Sequence, residues 1–329
     1  MKDTLFIVVP CYNESEVLRD SAAKLLAKYH ELVQSDLISD SSRLLFVDDG
    51  SSDGTWEIIE DLCLSHECVN GISLAHNRGH QNALLAGLMV AKEHSDMVIS
   101  IDADLQDDID TIGEMINKYY EGCDIVYGVR QNRDKDTFFK RSTAQSFHKI
   151  MRLLGADTVY NHADYRLMSK RALEGLAQYK EVNLFLRGIV PMLGFKSGYV
   201  YYDRAERLAG KSKYPLKKML SFAWEGITSF SITPIRIITG AGGIIFLISI
   251  IMMIYSLIRH LIGATVVGWS STVISLWMIG GMTLLSIGII GEYIGKIYLE
   301  TKARPRYLIE KELLTVPDND PDGSPDDGE

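Results

Sequence analysis

Apolar residues in the first 130 positions fall into short runs, each stopped by a cluster of polar residues. Leu5–Val9 gives way to Pro10-Cys11-Tyr12-Asn13-Glu14, Leu44–Val47 to Asp48-Asp49-Gly50-Ser51, and Val98–Ile101 to Asp102-Ala103-Asp104. Between the runs, apolar positions recur every three or four residues, as in Ala83, Leu84, Gly87, Leu88 and Ala91. The two periods predict strands at Thr4–Val9, Arg43–Val47, Gly71–Ala75, Met97–Ile101 and Ile125–Tyr127. They predict helices at Glu14–Val33, Gly54–Leu64, Gln81–Glu93 and Ile109–Tyr120. Strand–helix alternation of this kind builds a doubly wound α/β fold around a mostly parallel sheet. Ligands of such sheets bind beyond the carboxyl ends of the strands, so three polar, mostly acidic strand ends are expected on one edge.

The pattern changes after residue 230. Ile237–Ile258 carries no charge, and neither does Leu261–Gly291, whose most apolar part is Val273–Ile290. Twenty-two helical residues reach ~33 Å, enough for a bilayer core of ~30 Å. A two-helix transmembrane hairpin is predicted, with spans at about 237–258 and 268–291. Lys211, Lys213, Lys217, Lys218 and Arg236 precede it, and Lys296, Lys302, Arg304 and Arg306 close or follow it. The link holds only Arg259 and His260, so both termini are expected in the cytoplasm. Lys213–Phe230, with Leu216, Leu220, Phe222, Trp224, Ile227 and Phe230, reads as an amphipathic interfacial helix. The expected organisation is a catalytic domain at 1–210, a juxtamembrane region at 211–233, the hairpin at 234–298 and a C-terminal segment at 299–329 ending in a disordered acidic tail.

Composition adds little to this picture. The net charge is −9, but Asp318–Glu329 holds six acids and no base, and the remainder is about −3. Nothing in that balance suggests nucleic acid. Cys11, Cys63, Cys68 and Cys123 form no CxxC pair, which fits a reducing compartment, and no signal peptide is read at the N-terminus.

The strand ends carry the chemistry. Asp102-x-Asp104 sets two carboxylates on extended backbone beside the Gln106 amide, a donor set suited to Mg²⁺ or Mn²⁺ together with substrate phosphate oxygens. Asp48-Asp49-Gly50 suits a nucleotide-reading turn, because a carboxylate accepts ring N–H groups and glycine lets backbone approach closely. Asp53 reads as a helix cap. No GxGxxG follows the first strand and no GxxxxGK[ST] occurs, which disfavours a dinucleotide fold and a P-loop.

In order and spacing, VVPCYNE, VDDGSSDGT and IDADLQDD resemble the motifs of family 2 glycosyltransferases, the inverting GT-A class. Ala163–Met168, Arg207-x-x-Gly210-x-Ser212-Lys213-Tyr214 and Gly291–Tyr298 with Lys302–Tyr307 bring the resemblance closer to polyprenyl-phosphate glycosyltransferases. It covers residues 5 to about 308. It implies transfer of a sugar, first of all glucose from UDP-glucose, to a polyprenyl phosphate such as undecaprenyl phosphate at the cytoplasmic membrane. UDP-N-acetylhexosamine, a UDP-aminoarabinose derivative and GDP-mannose stay open as donors. Pro10, Tyr12, Glu14 and Asp49 would line the nucleoside pocket, and Asp102 would lie near ribose and diphosphate. Asp104 and Gln106 would hold the divalent cation with Asp102 assisting. Asp164 would lie near the sugar, as a base or as a positioning group. Relatives often have prolines where Asp107-Asp108 stand, which bears on the local turn. A dianionic acceptor beside a diphosphate requires cations, and Arg130, Arg141, Arg207, Lys211, Ser212 and Lys213 are the candidates for the acceptor phosphate. A homo-oligomer and a flippase partner are also expected. A processive polysaccharide synthase is disfavoured by the lack of QxxRW, and a non-catalytic membrane scaffold by the intact acidic motif.

Overall fold

The computed structural model describes residues 2–130, 162–182, 185–203 and 269–315, with scattered positions between 235 and 262. The chain divides into two compact units, one of Met1–Arg141, Val159–Ser212 and Pro305–Glu329, the other of Ser142–Thr158 and Lys213–Arg304.

The first unit is built on an eight-stranded sheet. Its strands are β1 (Leu5–Cys11), β2 (Arg43–Asp48), β3 (Val69–Leu74), β4 (Met97–Ser100), β5 (Ile125–Arg130), β6 (His162–Ser169), β7 (Ser197–Tyr202) and β8 (Ile309–Leu313), in the order β7-β5-β6-β4-β1-β2-β3-β8. β4, β1, β2 and β3 are mutually parallel, and β7 runs parallel to β5. β6 lies antiparallel between β4 and β5, and β8 is antiparallel to β3. β1 to β4 are buried along their whole length, and β1, β2 and β4 accordingly read as near-continuous apolar runs, while β3 carries Asn70 and Ser73 inside. Helices α1 (Leu18–Gln34), α2 (Thr55–Ser65), α3 (His80–His94) and α4 (Ile112–Tyr120) follow the first four strands, and α5 (Lys170–Ala177) and α6 (Leu186–Met192) follow β6. α3 presses close to the sheet: a Cβ on Gly87 would collide with Val8 and Val47.

Pro10 sits inside a central strand, normally a poor place for a residue without an N–H. β4 ends at Ser100 opposite Val8, so Pro10 lies beyond that ladder and faces only β2, through Val47. The strand can therefore run on to Cys11 and deliver Tyr12 past the sheet edge.

The predicted elements need four corrections. α1 begins at Leu18 rather than Glu14, because the Glu14 carbonyl accepts from Val17 N and Leu18 N and closes a turn first. The helix predicted at Ile109–Tyr120 opens as a 3₁₀ turn over Ile109–Thr111, capped by the Asp108 side chain. The strand predicted at Ile125–Tyr127 runs to Arg130 and pairs with β6 and β7. β8 lies within the segment expected to be only a C-terminal extension. Its polar sequence IEKEL suits a sheet edge, where charge blocks further pairing.

The second unit contains α7 (Trp269–Thr301). Within it, Ile279–Thr301 is 23 residues long, has a mean hydropathy of 1.3 and buries none of its apolar window. Among the described residues one helix, rather than the predicted two, has the length and composition to cross a membrane. This span ends at Thr301, ten residues past the predicted end at Gly291. Half of the first predicted span lies outside the described residues, and those described there, such as Ile244, Leu247 and Ile251, are helical and exposed. The interfacial segment 211–233 and the tail from residue 316 lie outside them too.

Candidate active site

The carboxyl ends of β1 and β2 are laced together. Asn13 takes a φ of 54°, its N–H donates to Ser51 Oγ at 2.9 Å, and its Oδ1 accepts from Ser52 N at 2.9 Å. Glu14 N donates to Thr55 Oγ1 at 2.9 Å, and Ser15 N to Asp53 Oδ2 at 3.1 Å. Asp53 also accepts from Thr55 N at 3.0 Å, but Gly54 is the residue that precedes α2 and no side chain caps the helix, so the predicted Asp53 cap is not formed. Burial opposes its charge, but the bonds from Thr55 and Ser15 outweigh this and bring its carboxyl from 3.8 down to about 2. This bracing leaves the Tyr12 ring 47% exposed at the sheet edge.

Asp49, expected in the nucleoside pocket, is only 2% exposed and accepts from Arg78 N at 2.7 Å and Gly79 N at 2.9 Å. Burial pushes its carboxyl up, and the two N–H groups partly offset that. Beside it Gly50 has a φ of 65°, and a Cβ there would lie 2.7 Å from Asn77 N and His76 C. The Asp49-Gly50 turn thus holds the loop His76–Gly79, which leads into α3 at His80.

The loop after β4 carries the paired acids. Leu105, at a φ of 42°, donates its N–H to the Asp102 carbonyl at 3.1 Å. Gln106 is buried and directs Nε2 to Asp104 Oδ2 at 2.7 Å, which orients that carboxylate. Burial pushes Asp102 up, His80 opposes this, and the charges of Asp164, Asp107 and Asp104 push it further. Carboxylates that crowd one another in this way create a demand for a cation, and an all-oxygen set suits a hard divalent ion. Among the described residues no group of three or more His, Cys, Asp or Glu stands ready to hold a metal. Asp102 and Asp104 would therefore need oxygens from the substrate, the usual habit of magnesium.

The two acids that stand in place of prolines have separate structural tasks. Asp107 accepts from Arg130 Nη2 at 2.9 Å and from Tyr202 Oη at 2.6 Å, and Asp108 caps the 3₁₀ turn. Arg130, expected at an acceptor phosphate, is engaged by Asp107. Arg141, Arg207, Lys211, Ser212 and Lys213 lie outside the described residues.

Antiparallel β6 brings its first residues to the same edge, since Arg166 pairs with Ser100 at the end of β4. Asp164 is 3% exposed there. It accepts from Arg187 Nη2 at 2.9 Å, Arg187 Nε at 3.3 Å and Gln81 Nε2 at 3.3 Å, and it is also bonded to Arg166 Nη2. His80 Nε2 lies 3.4 Å from Asp164 Oδ2 and 3.7 Å from Asp102 Oδ1. Burial would raise the Asp164 carboxyl, but His80 and the two guanidiniums outweigh it and hold the group well below the usual carboxylate range. Burial would lower His80, and Asp164 and Asp102 reverse that as well. An anion so heavily bonded is a poor proton acceptor, which favours the positioning role for Asp164.

Sequence reasoning missed His80, Gln81 and Arg187. Asn77-Arg78-Gly79-His80-Gln81 follows β3 and leads into α3, much as the acidic motifs follow their strands, so its place was readable. Arg187 has no local signal, because only the return of β6 and α6 to this edge brings it to Asp164.

Acidic strand ends around a paired-acid loop, on a mostly parallel sheet with one inserted antiparallel strand, define a GT-A glycosyltransferase. The chain belongs to Glycosyl transferase family 2, whose model matches residues 6–176. It is 56% identical over 309 residues to the "Uncharacterized glycosyltransferase YkoT" of Bacillus subtilis (strain 168), covering 94% of this chain and 92% of the relative. It is 39% identical over 308 residues to the bactoprenol glucosyl transferase of Shigella phage SfX, covering 93% and 98%. Among solved structures, it resembles the mannosyltransferase PcManGT from Pyrobaculum calidifontis, with 15% identity, a TM-score of 0.44, and 92% and 86% of the two chains covered. The glucosyl-3-phosphoglycerate synthase from Mycobacterium tuberculosis matches with 17% identity, a TM-score of 0.42, and 69% and 76% covered.

Proposed function

We propose that this enzyme transfers a hexose, with glucose from UDP-glucose as first choice, to a polyprenyl phosphate such as undecaprenyl phosphate. The observation that carries the reading is end-to-end similarity to relatives named bactoprenol glucosyl transferases. The paired acids at the end of β4 support it.

The chemistry asks little proton transfer of the protein. A phosphate monoester has a second pKa of about 6 and is mostly dianionic at neutral pH. One of its oxygens bonds to the anomeric carbon as the bond to the donor β-phosphate oxygen breaks, and the departing diphosphate takes the electron pair. A single displacement inverts the anomeric centre. No strong base is needed, in keeping with an Asp164 locked by guanidiniums. A divalent cation held by Asp102 and Asp104 would neutralise charge on the departing diphosphate. Gln106 keeps Asp104 oriented, and Tyr12 offers an exposed ring at the edge where a nucleoside would lie.

A panel of nucleotide sugars, assayed with undecaprenyl phosphate and with or without chelator, tests this. Chelator-sensitive transfer of glucose from UDP-glucose to the lipid is the expected result. Nucleotide release that ignores the lipid phosphate across the whole panel would overturn the acceptor assignment.

The chain is further proposed to cross the cytoplasmic membrane twice, with both ends inside. The uncharged runs at about 237–258 and 268–291 and their flanking lysines and arginines support this. A protease-cleavable tag after Glu329 should be cut only in lysed cells, and cutting in intact cells would refute the topology.

A further inference from the structure

Asp164 has more cationic partners than neutralisation requires. Arg166, almost wholly buried, already pairs with it from two residues further along β6. Arg187 is the second guanidinium, and its side chain is 37% exposed against 3% for Asp164. It meets the carboxylate side-on, Nε on Oδ1 and Nη2 on Oδ2, which fixes the plane of the fork. Among the described residues its Nη1 has no partner. Gln81 braces the same corner: its Nε2 reaches Asp164 Oδ2, and its Oε1 accepts from Leu186 N at 3.0 Å, next to Arg187 in the chain. Burial and the nearby charge of Arg130 both work against the Arg187 cation, while Asp164 and Asp102 sustain it. A second guanidinium brought near Arg130, held rigid and half open beside the paired acids, is what an incoming oxyanion requires.

We propose that Arg187 binds a phosphate oxyanion of the substrates through Nη1, with Asp164 and Gln81 as its positioning residues. The ligand chemistry is a phosphate group, supplied either by the diphosphate of the donor or by the acceptor phosphate. The inference rests on the transferase reading above. It explains why an acid so deeply buried and so far from proton exchange stands at this edge: Asp164 aims a cation.

The test uses the full chain in detergent or nanodiscs, as wild type, Arg187→Gln and Arg187→Lys. UDP and uridine are titrated separately in the presence of Mn²⁺, the KM for undecaprenyl phosphate is measured, and thermal melting is followed. Loss of one charge-assisted contact should cost Arg187→Gln about ten- to a hundredfold in UDP affinity or in acceptor KM. Uridine affinity and melting should stay near wild type, and Arg187→Lys should recover part of the loss. A fall in UDP but not uridine affinity assigns the group to the donor diphosphate, and a rise in acceptor KM alone assigns it to the lipid phosphate. Variants that match wild type in both, or that lose UDP, uridine and melting temperature together, overturn the proposal. A wild type that binds UDP but transfers nothing to lipid phosphate would defeat the transferase reading, while the UDP-to-uridine comparison would still decide the role of Arg187.

Discussion

Asp164→Leu should destabilise the catalytic unit by about 3–5 kcal/mol, the usual cost of stripping one partner from a buried ion pair. Leucine keeps the branching and heavy-atom count of aspartate but is larger, so some overpacking adds to the electrostatic loss. Arg166 is 1% exposed; among the described residues its Nε lacks a partner, and without Asp164 its charge would keep the Leu186 carbonyl at 3.4 Å. Burial already disfavours the Arg166 charge, and Asp164 is the main influence that sustains it. For a unit of this size the loss should lower the melting temperature by roughly 6–20 °C. The double variant Asp164→Leu/Arg166→Met should recover much of it, because a buried pair replaced whole by apolar groups of similar volume is often near neutral. Asp164→Leu that melts like wild type and loses only turnover would identify Asp164 as a base and remove its structural role. The pH dependence has a definite sign. The Asp164 carboxyl is depressed in the folded state, so its contribution is complete above the ordinary aspartate range near ~3.9 and is lost as pH falls below it. Asp164→Leu should therefore flatten the acid side of the stability curve.

The parallel half of the site was legible because local signals and topology agree there. β1, β2 and β4 are apolar on both faces, end in polar clusters and lie side by side, so Tyr12, Asp49 and Asp102 reach one edge by the rule for parallel sheets. Local signals do not say where a side chain turns once it arrives. Asp49 reads as a ligand group, and in the fold each of its oxygens also accepts a backbone N–H, because the glycine beside it lets the next loop pass within contact distance. The antiparallel half was hidden for a different reason. β6 carries Asp164 to the site from its own beginning, and α6 contributes Arg187, and neither placement follows from sequence spacing. Arg130 shows the same limit: it was read as a free cation after a strand, and its partner Asp107 lies 23 residues away in the chain. β8 was missed because a charged edge strand has no apolar period to read.

Asp104→Asn is expected to leave the fold intact and to remove most of the activity. The two halves of that expectation have separate causes. Asp104 is only partly buried, and its partners include the side-chain amide of Gln106 at 2.7 Å and the Gln106 backbone N–H at 3.4 Å. An asparagine offers that amide an acceptor oxygen of the same shape, so the fold should lose little, about 0.5–1.5 kcal/mol at most for one altered hydrogen bond. The electrostatics are less forgiving. Asp102 sits among Asp104, Asp107 and Asp164 and is pushed up first by burial and then by their charges, so the site has negative charge to spare only until a cation arrives. With the cation bound, each carboxylate adds to its affinity, and an amide supplies dipole but no charge. Loss of charge stabilisation at the departing diphosphate should lower turnover by roughly 10²–10³-fold, or about 3–4 kcal/mol of barrier, the scale seen when one preorganised electrostatic contact is removed. Titration of activity with Mn²⁺ should show a higher half-saturating concentration in the variant, with partial recovery at high metal. Turnover near wild type, with unchanged metal dependence, would place the cation elsewhere and leave Asp104 as no more than the partner of Gln106.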